Sequence, residues 1–227
     1  MTRQEAMAEL EALGDEKVRA WNSKSGAGEN QFGVKMGDIR GVAKKIKTDP
    51  ELARQLWETG NLEARLLAVL ILKPQELSAD ELERMVRSVD YAWLADWLNN
   101  YVVKNHPNKE ELRERWMAEE PANGPGAAAA SRAGWSLTTE RVVKNPDGLD
   151  MGALLDRIER EMKDAPELAR WNMNFCLGEI GINHPAHRER VVAIGQKIGA
   201  YRDYPVSKGC IPPYVPVWVA EIVKRQG

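Results

Sequence analysis

The sequence has 227 residues, 43% of them hydrophobic and 29% charged, with a formal net charge of −2. That is enough for a substantial core, and it excludes a bulk polycation, so any nucleic-acid contact has to come from one basic face. Two cysteines, Cys176 and Cys210, lie far apart with no Cys/His cluster at zinc spacing, which argues against a disulfide framework or a structural zinc.

The N-terminus MTRQEAMAELEALGDEKV is charged throughout and has no apolar leader core. The longest apolar run, Leu66 to Leu72, falls far short of the roughly 20 residues a membrane span needs. A cytoplasmic location without a membrane partner is expected. Eight tryptophans stand against two phenylalanines. An indole buries a large surface but carries an N–H that needs a partner, so some of these rings are expected half-exposed along a groove.

In chain order, residues 2–13 read as a first helix and Asp15 caps a second to about residue 23. A polar, Gly-rich loop follows, anchored by Phe32 and Val34, and Gly37 or Asp38 opens the next helix. Thr48-Asp49-Pro50 starts a helix to Trp57, and Asn61 caps a wholly buried one. Ser78 with Glu81 forms a capping box for 79–88. Asp90 begins 91–104, His106-Pro107 ends it, and 109–119 follows. The break PANGPG precedes 126–144. Helices 150–163, 166–182 and 185–199 come next, then an irregular Pro-rich tail and a short terminal helix from Pro216. Strand signals are nearly absent.

The pairs 50–58/61–72, 79–88/91–104, 109–119/126–144 and 150–163/166–182 recur roughly every 30 to 40 residues. The reading is an all-α protein, an α-solenoid or superhelix of HEAT-like antiparallel helix pairs. It is expected as a single domain over 1–227, with cap helices at about 2–23, repeats at about 37–199 and a tail at 201–227. In such stacks the second helices line a concave face.

No GxSxG, HExxH, Walker A or strand-borne GxGxxG motif occurs. His106, His184 and His187 lie at helix junctions, where a structural role outweighs a ligand role. His184 and His187 have no third ligand placed by sequence, so no metal is expected. Two acidic residues stand out. Asp90 reads as an N-cap exposed at the mouth of the concave face and kept ionised by the helix N-terminus. Glu179 lies in the apolar stretch WNMNFCLGEIGI, where a charge either pairs with a basic residue or faces the groove. Lys35, Arg40 and Arg87 are basic residues at inner or rim positions and candidates for DNA phosphate. Arg132 stands alone in AAAASRAGW. A long cation rising from such a floor suits phosphate contact, and an internal salt bridge is the equal alternative.

In order, QFGVKMGDIRGVAKKI (31–46), EARLLAVLIL (63–72), Ser88–Asp90 and Ser131–Trp135 resemble the bacterial alkylpurine DNA glycosylases of the AlkD type, the DNA alkylation repair family. The resemblance spans roughly residues 30 to 200. It implies a monofunctional, cofactor-free DNA glycosylase that hydrolyses the N-glycosidic bond of N3- or N7-alkylated purines in double-stranded DNA. It makes Asp90 the catalytic carboxylate stabilising an oxocarbenium-like sugar, and Arg132 the cation on a backbone phosphate. The two positions where the family carries tryptophans around the lesion read Val86 and Glu179 here. Trp93, Trp97 and Trp135 remain as aromatic candidates for a lesion-side groove, with Glu179 beside them. A monomer is expected. The alternative is a non-catalytic HEAT-like module that binds DNA structures or a protein partner.

Overall fold

The computed structural model describes residues 1–119 and 126–226. The expected break at 121–126 lies, apart from Gly126, outside the described residues. Among those described, regular structure consists of thirteen α-helices and three short 3₁₀ turns, with no strand. The fold is all-α and built from HEAT-like helix pairs. Two compact units form, Met1–Lys109 and Glu110–Gly227.

Unit 1 contains α1 (Arg3–Ala12), α2 (Glu16–Lys24), α3 (Met36–Ile46), α4 (Pro50–Trp57), α5 (Leu62–Ile71), α6 (Ala79–Arg87) and α7 (Ala92–Tyr101). Helix α5 is its hub. Eight of its ten residues are buried, and it packs against α1, α3, α4 and α7. A helix apolar on all sides can only sit inside. Side-chain caps set most of the helix starts. Asp15, Asp49, Asn61 and Ser78 each accept a hydrogen bond from a first-turn amide.

Three expected starts are corrected. Helix α3 opens at Met36, before Gly37, with Lys35 extended ahead of it and no side-chain cap. The Ser78 box is only half made. Ser78 Oγ accepts from the Glu81 amide at 3.1 Å, but the Glu81 carboxylate accepts from Arg54 Nε at 2.6 Å instead of reaching back. A complete box forms instead at Thr2 and Glu5. The third is Asp90, which does not cap α7. Tyr91 occupies the N-cap position, and no side chain bonds the first-turn amides.

Unit 2 holds most of α8 (Lys109–Ala118), then α9 (Ala127–Lys144), α10 (Met151–Glu161), α11 (Glu167–Asn183), α12 (Arg188–Ile198) and α13 (Val215–Gln226). Its hub is α11, which packs on α9, α10, α12 and α13. Helix α13 is twelve residues long and belongs to the core, with Val215 and Val219 each 1% exposed. Two of the three histidines bond backbone carbonyls through Nε2. Buried His106 Nε2 meets the Leu77 carbonyl at 3.1 Å, and its Nδ1 accepts from the Asn108 amide. His184 Nε2 meets the Val142 carbonyl at 2.9 Å. Among the described residues no cluster of His, Cys, Asp or Glu is arranged for a metal, and no helix is long and apolar enough to cross a membrane.

Candidate nucleic-acid interface

The turn between α6 and α7 alternates inside and outside. Val89 and Tyr91 are buried, while Ser88 and Asp90 are exposed. The two apolar anchors thus push the Asp90 carboxylate into solvent. Arg65 on α5 lies behind the turn. Its Nε donates to the Trp57 carbonyl at 3.1 Å, its Nη1 donates to the Ser88 carbonyl at 3.2 Å, and its guanidinium sits 5.0 Å over the Trp57 ring. Burial holds the Arg65 guanidinium below its usual range, with the Asp90 charge pulling the other way. Arg65 is thus a charged neighbour of Asp90, whose side chain caps no helix.

The expected cations fare differently. Arg87 is engaged along its own helix, donating to Glu83 from Nε at 3.0 Å and from Nη2 at 2.8 Å. Lys35 lies 3.4 Å from Asp15, with most of its side chain in solvent. Exposed Arg40 stacks 4.8 Å over the Trp97 ring and covers it. Arg132 does not rise from its floor. It is 2% exposed, and its Nη1 donates to the Leu168 carbonyl at 2.8 Å. The small residues around it bring α9 so close to α11 that Asn172 Nδ2 reaches the Arg132 carbonyl at 2.9 Å. The floor is a packing surface, and the guanidinium is enclosed by it.

The aromatic candidates separate in the same way. Trp135 is fully buried beneath Arg157 and lines no groove. Trp97 is 7% exposed, whereas Trp93 is 36% exposed. Val86 is a core residue. Glu179 is half-buried and accepts from Asn183 Nδ2 at 2.8 Å. One turn away, burial pushes the Cys176 thiol up to about 12, opposed by a Thr139 hydrogen bond and reinforced by the Glu179 charge. A thiol-specific disulfide reagent should therefore titrate one cysteine, exposed Cys210, in the native protein and both after denaturation. Two fast-reacting native thiols would contradict this packing.

Unit 1 holds a cavity of about 580 Å³ between α2, the start of α3, α5 and α7. Lys35 and Trp93 both line it, so the fold brings these two candidates together. Trp21 on α2 is 55% exposed and meets Trp93 edge to face, 5.3 Å between ring centres at 64°. The inner wall includes Glu63, 1% exposed, whose carboxylate accepts from the backbone amides of Phe32, Gly33 and Val34 at 2.8, 2.9 and 3.2 Å. Gly33 fits there because its φ is +80° and a Cβ would lie 2.5 Å from the Asp15 carbonyl oxygen. Asp15, in turn, has its carboxyl held below the usual range by the amides of Lys17 and Val18. Sequence reasoning missed Trp21 and the role of Glu63. Only the Asp15 cap carried a local signal.

Comparison with known proteins follows the same lines. A family model described as DNA alkylation repair enzyme matches residues 6–198. Protein Lin0241 of Listeria innocua, uncharacterized, is 21% identical over 172 residues, which cover 74% of this chain and 72% of the relative. A solved structure, described as from a new family of proteins related to the HEAT-like repeat DNA glycosylases with affinity for branched DNA structures, superposes with a TM-score of 0.77. It is 24% identical, and the match covers 100% of this chain and 95% of that one.

Proposed function

This chain belongs to the DNA alkylation repair enzyme family, and from that premise we propose that it binds branched DNA without excising bases. The observation behind the proposal is how little open surface remains on the aromatic rings that the resemblance singles out. In unit 1 Val86 is in the core and Trp97 lies under Arg40, and in unit 2 Trp135 is fully buried. A cationic purine gains from contact with a π-face, and here Trp93 alone of the expected rings keeps one in water. The affinity for branched DNA ascribed to the structural relative, which matches over the whole chain, supports the same reading. Exposed Lys35 and Arg40 are assigned to backbone phosphates, which makes binding salt-dependent.

Base excision is the second reading, and exposed Asp90 favours it. In that reaction the bond from C1′ to N9 of an N7- or N3-alkylpurine breaks and the cationic base leaves neutral. Water adds at C1′ and loses a proton, while the carboxylate stabilises the positive sugar in between.

One preparation decides between them. Binding to a four-way junction should exceed binding to a linear duplex of equal length by about tenfold and weaken as salt rises. Release of 7-methylguanine from methylated duplex should stay at the uncatalysed rate, and Asp90→Asn should leave junction binding within about twofold. Release that Asp90→Asn abolishes would establish the second reading. Absence of salt-sensitive DNA binding would overturn both.

A further inference from the structure

Trp21 and Trp93 keep 55% and 36% of their surface exposed at the mouth of the unit 1 cavity. Neither ring is on a loose segment. Trp21 stands on α2, fixed by its Asp15 cap, and Trp93 stands on the first turn of α7. Large apolar rings left in water at a concave site mark a surface that something covers.

The polar chemistry of the cavity narrows what that is. Gln31 Nε2 donates to Ser23 Oγ at 3.1 Å and to the Gly28 carbonyl at 2.8 Å, so Gln31 Oε1 is its acceptor end. Asn22 Nδ2 must then be the donor in the 3.0 Å bond to Gln31 Oε1. This leaves Asn22 Oδ1, in a residue that is 4% exposed and lines the cavity, as a buried acceptor with no partner. Such an atom calls for an N–H donor. Both carboxylates of the cavity are already spent on backbone amides, Asp15 on Lys17 and Val18 and Glu63 on residues 32–34. All four carboxylate oxygens thus already have partners, Asp15 Oδ2 through Lys35. The cations of the wall are Lys17 and Lys35; the Lys35 ammonium is paired with Asp15 at 3.4 Å but keeps most of its side chain in solvent, so a phosphate can reach it.

An aromatic face, an N–H donor at the edge and a neighbouring phosphate describe a nucleotide unit. We propose that this cavity is a stacking site for one unpaired nucleobase of a DNA strand. The ring lies against Trp21 and Trp93, an amino or imino N–H reaches Asn22 Oδ1, and Lys17 and Lys35 hold the flanking phosphates. The volume of about 580 Å³ accommodates a base with its sugar. Indole–base stacking tolerates any base because every base has a π-face. The inference rests on the DNA-binding reading and gives it a reason to prefer branch points, where bases are unpaired.

The test uses the full chain and two three-way junctions, one fully paired and one with a single unpaired 2-aminopurine at the branch. Binding is expected to quench the 2-aminopurine, as stacking does. Trp21→Ala and Trp93→Ala should abolish the quench and weaken binding to the unpaired-base junction about tenfold, while the paired junction changes by less than about twofold. Trp21→Phe should restore most of both signals. An unchanged thermal midpoint for Trp21→Ala checks that the exposed ring is not a folding element. Junction binding without quench, indifferent to Trp21→Ala, overturns the base site and leaves the branched-DNA reading standing. Failure to bind any DNA overturns both. If Trp21→Ala instead turns a dimer into a monomer by sedimentation with DNA binding intact, the rings are a contact between copies and the proposal falls.

Discussion

Glu63→Gln is expected to cost unit 1 about 2–3 kcal/mol and to lower its thermal midpoint by roughly 10 °C, with Glu63→Ala costing more. The carboxylate is 1% exposed and is the acceptor for three consecutive backbone amides of the loop between α2 and α3. Gln keeps one oxygen, but it sets an amide N–H₂ against one of those backbone donors, and Ala leaves all three unanswered. Buried donors without acceptors cost more than the hydrogen bonds themselves contribute. The loop is also tied on its other side, since the Asp15 amide donates to the Gly33 carbonyl at 3.0 Å. Its release would loosen both α2 and the Lys35 entry to α3. Hydrogen exchange at residues 32–34 gives the local readout. If those amides remain protected in Glu63→Ala and the midpoint does not move, another group holds the loop.

Gly178→Ala is expected to destabilise unit 2 by up to about 2 kcal/mol net. A Cβ at this position would lie 2.2 Å from Cζ3 and 2.5 Å from Cε3 of Trp218. The indole has little room to retreat, because Phe175 packs on it with ring centres 4.9 Å apart. Overpacking of this kind costs about 1–3 kcal/mol, and the helix preference for Ala over Gly returns only about 1 kcal/mol. The steric origin has its own check. In a Trp218→Ala background the same change should become neutral or stabilising in thermal denaturation, because only the helix preference remains. Equal destabilisation in both backgrounds would rule the clash out.

The helices were legible because their starts are written locally. Asp15, Asp49 and Asn61 announce themselves by residue type and position, and the buried run of α5 announces a hub. Asp90 shows where such signals mislead. It has the composition of a cap, yet burial of Tyr91 carries the chain one residue further before the helix begins, and no amide is left within its reach. Arg132 shows a second limit. A run of small residues reads equally as an open floor or as a close helix contact, and the choice depends on α11, nearly 40 residues on. Glu63 bonds backbone amides about 30 residues upstream, and a backbone amide has no side-chain signature to read. Trp21 was hidden for the same reason: its exposure is set by where α7 places Trp93.

The packing of α13 has a bearing on how the chain is made. Unit 1 closes on residues up to 109, so it can fold while the rest is still being translated. Unit 2 cannot do the same, because α11 receives Trp218 and Val219 across Gly178 and Gly181 from near the end of the chain. At about 5–20 residues per second, ribosomal synthesis leaves the apolar face of α11 waiting a few seconds for its last partner. Through that interval the face of α11 that Trp218 and Val219 cover in the native fold has nothing of α13 against it.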